Sequence, residues 1–198
     1  MTDVAIIDNG GANIASLRFA LDRLGASSVV TADAGEIRRA PRVILPGVGA
    51  AGDAMARLRA SGLAALIPTL TQPVLGICLG MQLLFVSSEE GETGCLGIIP
   101  ARVTRFAERR GLPVPHMGWN QLQGRAPAPL LHGIDAGAYV YFVHSYSAPV
   151  GPWTDAVADY GGEFSALVRH RNFMGAQFHP ERSSKPGHRL LANFLEQA

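Results

Sequence analysis

Lysine is almost missing from this chain of 198 residues: Lys185 is the single exception among seventeen basic side chains, and the other sixteen are arginine. With the abundance of Ala and Gly, that skew reads as a bias of genomic composition rather than a functional patch. Net charge is scarce as well. Seventeen basic against sixteen acidic residues leave +1, so electrostatics gives no case for a nucleic-acid or anionic-membrane partner. Cysteine is limited to Cys78 and Cys95, too few for a disulfide framework, and a reducing cytoplasm is the expected setting. No run is long and apolar enough to span a bilayer. The start, Met1 to Asp8, lacks the basic opening and long apolar stretch of a secretion signal. His, Cys, Asp and Glu nowhere cluster at metal-ligand spacing, so no metal site is expected.

What the chain does have is a series of short apolar runs. Val4–Ile7 reads as a buried strand, followed by a Gly/Asn turn and a helix carrying Ile14, Leu17, Leu21 and Leu24, closed by Gly25. Residues 29–31, 43–45 and 74–77 read as further strands, with helical segments around 53–67 and from Leu79 onward. Such alternation predicts an α/β fold, a mostly parallel central sheet covered on both faces. Shorter strands are expected at 97–106, 139–147, 155–160, 166–170 and 174–178. A Pro-rich stretch from Pro113 to Pro129 separates the first two, and a terminal helix is expected over 188–197. With no repeat or linker, one domain over 1–198 is expected. Ligands of open α/β sheets gather at the carboxyl ends of strands, where Asn9, Pro46–Gly49 and Cys78 all fall.

Cys78 occupies the junction Leu75-Gly76-Ile77-Cys78-Leu79-Gly80, where a strand-like run gives way to a helix-like one. Glycines two residues to either side permit a sharp turn and close strand–helix packing. The following helix start offers unpaired N–H groups and a dipole that favour thiolate. The bland alternative is a small buried core residue. Cys95, in a Gly-rich loop, reads as structural.

Gly47-Val48-Gly49-Ala50-Ala51-Gly52 competes for attention, because it matches the G-x-G-x-x-G pattern of dinucleotide sites. That reading requires an acidic residue about twenty positions on, yet no Asp or Glu stands between Asp53 and Glu89. A plain Gly-rich turn is another reading. The best fit is that the Val48 and Gly49 amides point at an anion formed beside Cys78, since both loops lie at one sheet edge.

Gln177-Phe178-His179-Pro180-Glu181 supplies the partner a cysteine needs. In an extended segment, side chains two apart share a side. Glu181 is thus placed to hold one ring nitrogen of His179 while the other faces the sulfur, which is the logic of a nucleophile with an oriented base. A surface histidine before a turn is the alternative. His116 and His144 are expected along the same edge; the remaining histidines read as surface or packing residues.

Six blocks, from Ile7–Asn13, Leu45–Gly49, Gly76–Leu84, Val114–Asn120, Tyr141–Tyr146 and Gln177–Ser183, resemble the class I, triad-type glutamine amidotransferases. More narrowly, they are similar to the glutaminase subunits of imidazole glycerol phosphate synthases. The resemblance covers nearly the whole chain. It departs at Asn9, usually Tyr, at Ala12, usually Gly, and at Arg182, where Lys is common. The resemblance implies a flavodoxin-like three-layer sandwich and a catalytic triad of Cys78, His179 and Glu181. It implies an oxyanion hole from Leu79 and the Val48–Gly49 loop, with Gln82 and the backbone around Ser145 and Tyr146 holding L-glutamine. It also implies a separate (βα)₈-barrel cyclase as heterodimer partner, receiving ammonia through a channel during histidine biosynthesis. Asn13, Met117, Trp119, Asn120 and Arg182 are its interface candidates, and no cofactor is implied. The rival functions are a glutaminase serving a different synthase and a silent binding module on the same fold.

Overall fold

The computed structural model describes residues 2–10, 14–125 and 127–197. Among them β1 (Val4–Ile7) is followed by α1 (Ile14–Asp22), β2 (Ser28–Thr31), α2 (Ala34–Arg39), β3 (Arg42–Gly47), α3 (Ala51–Ala60), α4 (Leu63–Leu66) and β4 (Val74–Cys78). Next come α5 (Leu79–Gln82), β5 (Phe85–Ser88), β6 (Thr93–Gly94), β7 (Ile99–Arg105), β8 (His116–Gly124), β9 (Ala138–His144) and β10 (Tyr146–Ser147). The chain ends with β11 (Thr154–Asp159), β12 (Glu163–His170), β13 (Phe173–Ala176) and α6 (Ser184–Leu195).

Nine strands form the central sheet in the order β2-β1-β3-β4-β13-β12-β11-β8-β9. From β2 to β13 the pairings are parallel; from β13 to β9 they are antiparallel. A second sheet, β10-β7-β5-β6, stands beside it. Every residue of β1 and β4 is buried, as expected of parallel strands covered on both faces. Alternation then sorts them. Ala5, Ile7 and Leu45 pack with Ile37 of α2, Met55 of α3 and Leu63 of α4. Val4, Ile6 and Ile77 face the other way, against Leu17 and Leu21 of α1 and Leu190, Leu191 and Phe194 of α6. Full burial of each such side chain contributes about 1.5–3 kcal/mol, so these two layers hold the sheet rigid where β3 and β4 end together.

Several boundaries depart from the sequence reading. The helix expected after Cys78 is one turn long, so its dipole contributes little and only its first N–H groups matter. The terminal helix begins at Ser184, four residues earlier than expected. α2, β5, β6 and β8 have no counterpart in that reading. β8 runs between the prolines, which stand outside it at Pro113, Pro115, Pro127 and Pro129. Asn13 and Ala12 lie outside the described residues.

Candidate active site

Cys78 ends β4 in a conformation that side chains rarely adopt, φ 53° and ψ −112°. A non-glycine residue held there costs roughly 1–3 kcal/mol, and the surrounding backbone enforces it. A Cβ on Gly80 would lie 1.8 Å from the Leu45 carbonyl oxygen, and one on Gly76 2.6 Å from the Gly80 oxygen. Gly47, paired with Cys78 in the β3–β4 register, would place a Cβ 2.6 Å from the Gly80 nitrogen. Three glycines thus let β3, β4 and α5 pack backbone to backbone, and the chain must turn sharply at the cysteine between them.

The sulfur opens onto a cleft of about 320 Å³ lined by Val48, Gly49, Cys78, Leu79, Gln82 and His179, with Glu90 and residues 143–146 completing the wall. That volume suits a small polar metabolite. Cys78 and His179 are 7% and 8% exposed, buried but not sealed. Gly49 has φ +86°, the left-handed region that favours glycine, with open space where a Cβ would stand.

His179 Nδ1 is 2.9 Å from Glu181 Oε1. The contact arises differently from the extended spacing expected: residues Pro180–Arg182 form a 3₁₀ turn, which folds Glu181 back beneath the ring. Nε2 of His179 has no hydrogen bond of normal geometry among the described residues. Burial disfavours the imidazolium, but hydrogen bonding and charge from Cys78, with the same from Glu181, outweigh it and raise His179 well above an ordinary histidine. Cys78 and His179 line the same cleft, and Nε2 is the ring nitrogen left without a partner among the described residues.

Gln82 is buried and only partly free. Its Nε2 donates to the Tyr146 carbonyl at 2.9 Å and to Gln177 Oε1 at 3.0 Å, leaving Oε1 to offer a ligand. The Tyr146 carbonyl also takes the His144 Nδ1 hydrogen at 2.8 Å, so its acceptor capacity is used. The Ser145 carbonyl accepts the Phe106 N–H. Glu90 escaped the sequence reading. Its Oε2 accepts the Ala51 N–H at 2.8 Å, capping α3 from 39 residues away, while the carboxylate lines the cleft. Nothing local in the sequence signals this, because the contact is wholly tertiary. His116 and His144 do meet at the edge of the cleft, with Nδ1 and Nε2 3.0 Å apart. Cys95, half-buried, is held by the Thr93 carbonyl, and burial pushes its thiol up to about 11.

Met117, Trp119 and Tyr139 lie exposed, at 67%, 53% and 56%, on one face of the β8–β9 pair. The Arg182 guanidinium stacks over Tyr141 on that face, 4.5 Å from the ring centre. Asn120 departs from this group. It faces the opposite side, donating to the Asp159 carbonyl at 2.8 Å and touching His116 Nε2 at 3.4 Å. Among the described residues, no three His, Cys, Asp or Glu side chains converge as metal ligands, and no helix is long and apolar enough to cross a membrane.

A strained cysteine at a strand–helix junction, beside a histidine oriented by a carboxylate on an α/β sheet, is the arrangement of a class I glutamine amidotransferase. The profile of that family, glutamine amidotransferase class-I, matches residues 5–198. The crystal structure of a glutamine amidotransferase has the same fold, with a TM-score of 0.76, 22% identity, and 98% of this chain and 97% of that one covered. Among curated proteins, the imidazole glycerol phosphate synthase subunit HisH of Xanthomonas axonopodis pv. citri is 53% identical over 198 residues, covering 100% of this chain and 99% of its own. HisH of Shewanella oneidensis is 51% identical, over 98% and 96% of the two chains. The chain belongs to the class I glutamine amidotransferases and, within them, to the HisH subunits of imidazole glycerol phosphate synthase.

Proposed function

We propose that this chain hydrolyses L-glutamine with Cys78, His179 and Glu181 and passes the ammonia to a separate (βα)₈-barrel cyclase. The reading rests chiefly on one observation: in the cleft that Cys78 lines, His179 keeps Nε2 without a hydrogen-bond partner among the described residues while its other ring nitrogen is held by Glu181. The Cys78 sulfur attacks the side-chain amide carbon of glutamine as its proton resides on His179. His179 then protonates the departing nitrogen, the C–N bond breaks, and ammonia leaves a thioester. Water attacks that thioester after giving a proton to His179, and glutamate departs with the sulfur freed.

Each tetrahedral intermediate carries an oxyanion. The Leu79 N–H, at the turn after Cys78, and an N–H of the Val48–Gly49 loop are its donors; losing one such donor costs about 3 kcal/mol, a hundred- to thousand-fold in rate. At the other end of the cleft, the Glu90 carboxylate and Gln82 Oε1 are acceptors suited to the substrate's α-ammonium. Ammonia would protonate if released into water, so a sealed route to a partner is required. With the partner the product is imidazole glycerol phosphate, formed with the aminoimidazole carboxamide ribonucleotide in histidine biosynthesis.

Glutamate release measured with cyclase and its ribonucleotide present tests the assignment. Cys78→Ala is expected to lower the rate by at least about a thousandfold. Undiminished release by that variant would defeat it.

A further inference from the structure

One side chain that the proposed chemistry leaves unused touches the sulfur. Gln177 is wholly buried, at 0% exposure, and its Nε2 lies 3.9 Å from Cys78 Sγ. The orientation of its carboxamide is forced by a chain of contacts that starts at a backbone atom. The Tyr146 carbonyl can only accept, so the Gln82 atom facing it at 2.9 Å is the amide nitrogen. The second hydrogen of that nitrogen goes to the Gln177 atom 3.0 Å away, which must then be oxygen. What remains, the NH₂ of Gln177, faces the sulfur.

On another side the sulfur meets the Val143 carbonyl at 3.8 Å. The two neighbours favour opposite states. A thiol donates to the carbonyl, whereas a thiolate gains nothing from it and accepts from the carboxamide. An uncharged donor stabilises the anion without competing with the imidazole for its charge. The titratable groups around the sulfur are His179 with Glu181 behind it, Glu90 across the cleft, and His144 at the end of β9. None of them donates through a neutral, fully buried group as Gln177 does.

We propose that Gln177 is a positioning residue for Cys78: its carboxamide N–H holds the sulfur in the anionic state, directed at the cleft, while Gln82 and the Tyr146 carbonyl lock the carboxamide. The proposal rests on the reading of Cys78 as nucleophile, and it explains why the base-bearing segment begins with an amide that reaches no substrate.

The test uses the full chain in a Cys95→Ser background, so that iodoacetamide reports on Cys78 alone. Gln177→Met preserves length and removes the donor. The expected result is a rise of about one pH unit in the midpoint of alkylation, equivalent to a tenfold slower reaction near neutrality. Glutamine turnover with cyclase should lose kcat while KM changes little. A folded Gln177→Met chain that alkylates with the unsubstituted midpoint overturns the proposal, since a packing role alone would lower stability and leave that profile in place. A second measurement needs no change at position 177. In the unsubstituted chain the side-chain amide resonances of Gln177 should move with the alkylation midpoint, and in Cys78→Ser they should stay fixed. Resonances indifferent to that titration overturn the proposal even where the Met variant does not fold. Neither the alkylation midpoint nor the amide resonances involve glutamine, so both succeed or fail separately from the glutaminase reading, which Cys78→Ala decides.

Discussion

Gly80 has no room for a methyl group, and the obstacle is backbone. A Cβ 1.8 Å from the Leu45 carbonyl oxygen requires β3 and α5 to separate, because no side chain there can swing aside. Gly80→Ala is therefore expected to cost more than about 3 kcal/mol in urea unfolding. Gly25→Ala serves as the comparison. Its position has φ +74° but open space, so the cost is conformational alone, about 1 kcal/mol. Equal costs would show that close packing does not set the turn at Cys78. These glycines were legible in the sequence because their meaning is local: spacing around a cysteine at a strand end. Gln177 and Glu90 were not legible. Gln177 meets Cys78 across 99 residues and Glu90 meets Ala51 across 39, and no periodicity encodes such encounters.

Among elements, β8 shows how composition misleads. Its flanking prolines mark a Pro-rich stretch in which no strand is expected, yet they stop just short of a nine-residue strand whose ladder with β9 sets His116 opposite His144. The His116 ring stacks between Tyr160 and Phe142, with centroids 4.1 and 4.9 Å away. Burial pushes His116 down to about 4 and His144 to about 3. Both folded values fall below the unfolded 6.5, so the neutral pair contributes fully above pH 6.5 and is lost as pH falls toward 4 and 3. Each contributes up to about 1.4 kcal/mol per pH unit in that window. His179, raised instead, acts in the opposite sense: its contribution is complete below pH 6.5 and is lost as the solution becomes alkaline. Unfolding free energy should thus drop between pH 6.5 and 5, and His116→Phe should roughly halve that slope while lowering stability at neutrality. An unaltered slope would exclude the pair as its origin.

At the scale of the molecule, the fold was legible as an α/β sheet with its functional loops at the carboxyl ends of the strands, because buried parallel strands write themselves as continuous apolar runs. The surface was less legible. Met117, Trp119 and Tyr139 alternate with less exposed neighbours on β8 and β9, and only the register shows that they share one outward face. Monomeric proteins seldom leave three large side chains so placed. Val143, on the same face of β9 opposite Met117, also lines the cleft and offers its carbonyl to Cys78. A cyclase seated on this face would press on the strand that borders the sulfur, so docking and glutamine turnover should be coupled through β9. Trp119→Ala removes the largest exposed side chain of the patch, and a central aromatic anchor typically contributes about 2 kcal/mol or more. Binding to the cyclase, followed by calorimetry, should weaken at least about thirtyfold, while thermal unfolding of the isolated chain stays within a degree or two because the indole is half outside the fold. Glutamate release by the chain alone should be slow and should rise when substrate-loaded cyclase is added, less so in the variant. Unchanged affinity in Trp119→Ala would move the docking surface away from β8 and β9, and with it the route by which a partner reaches the nucleophile.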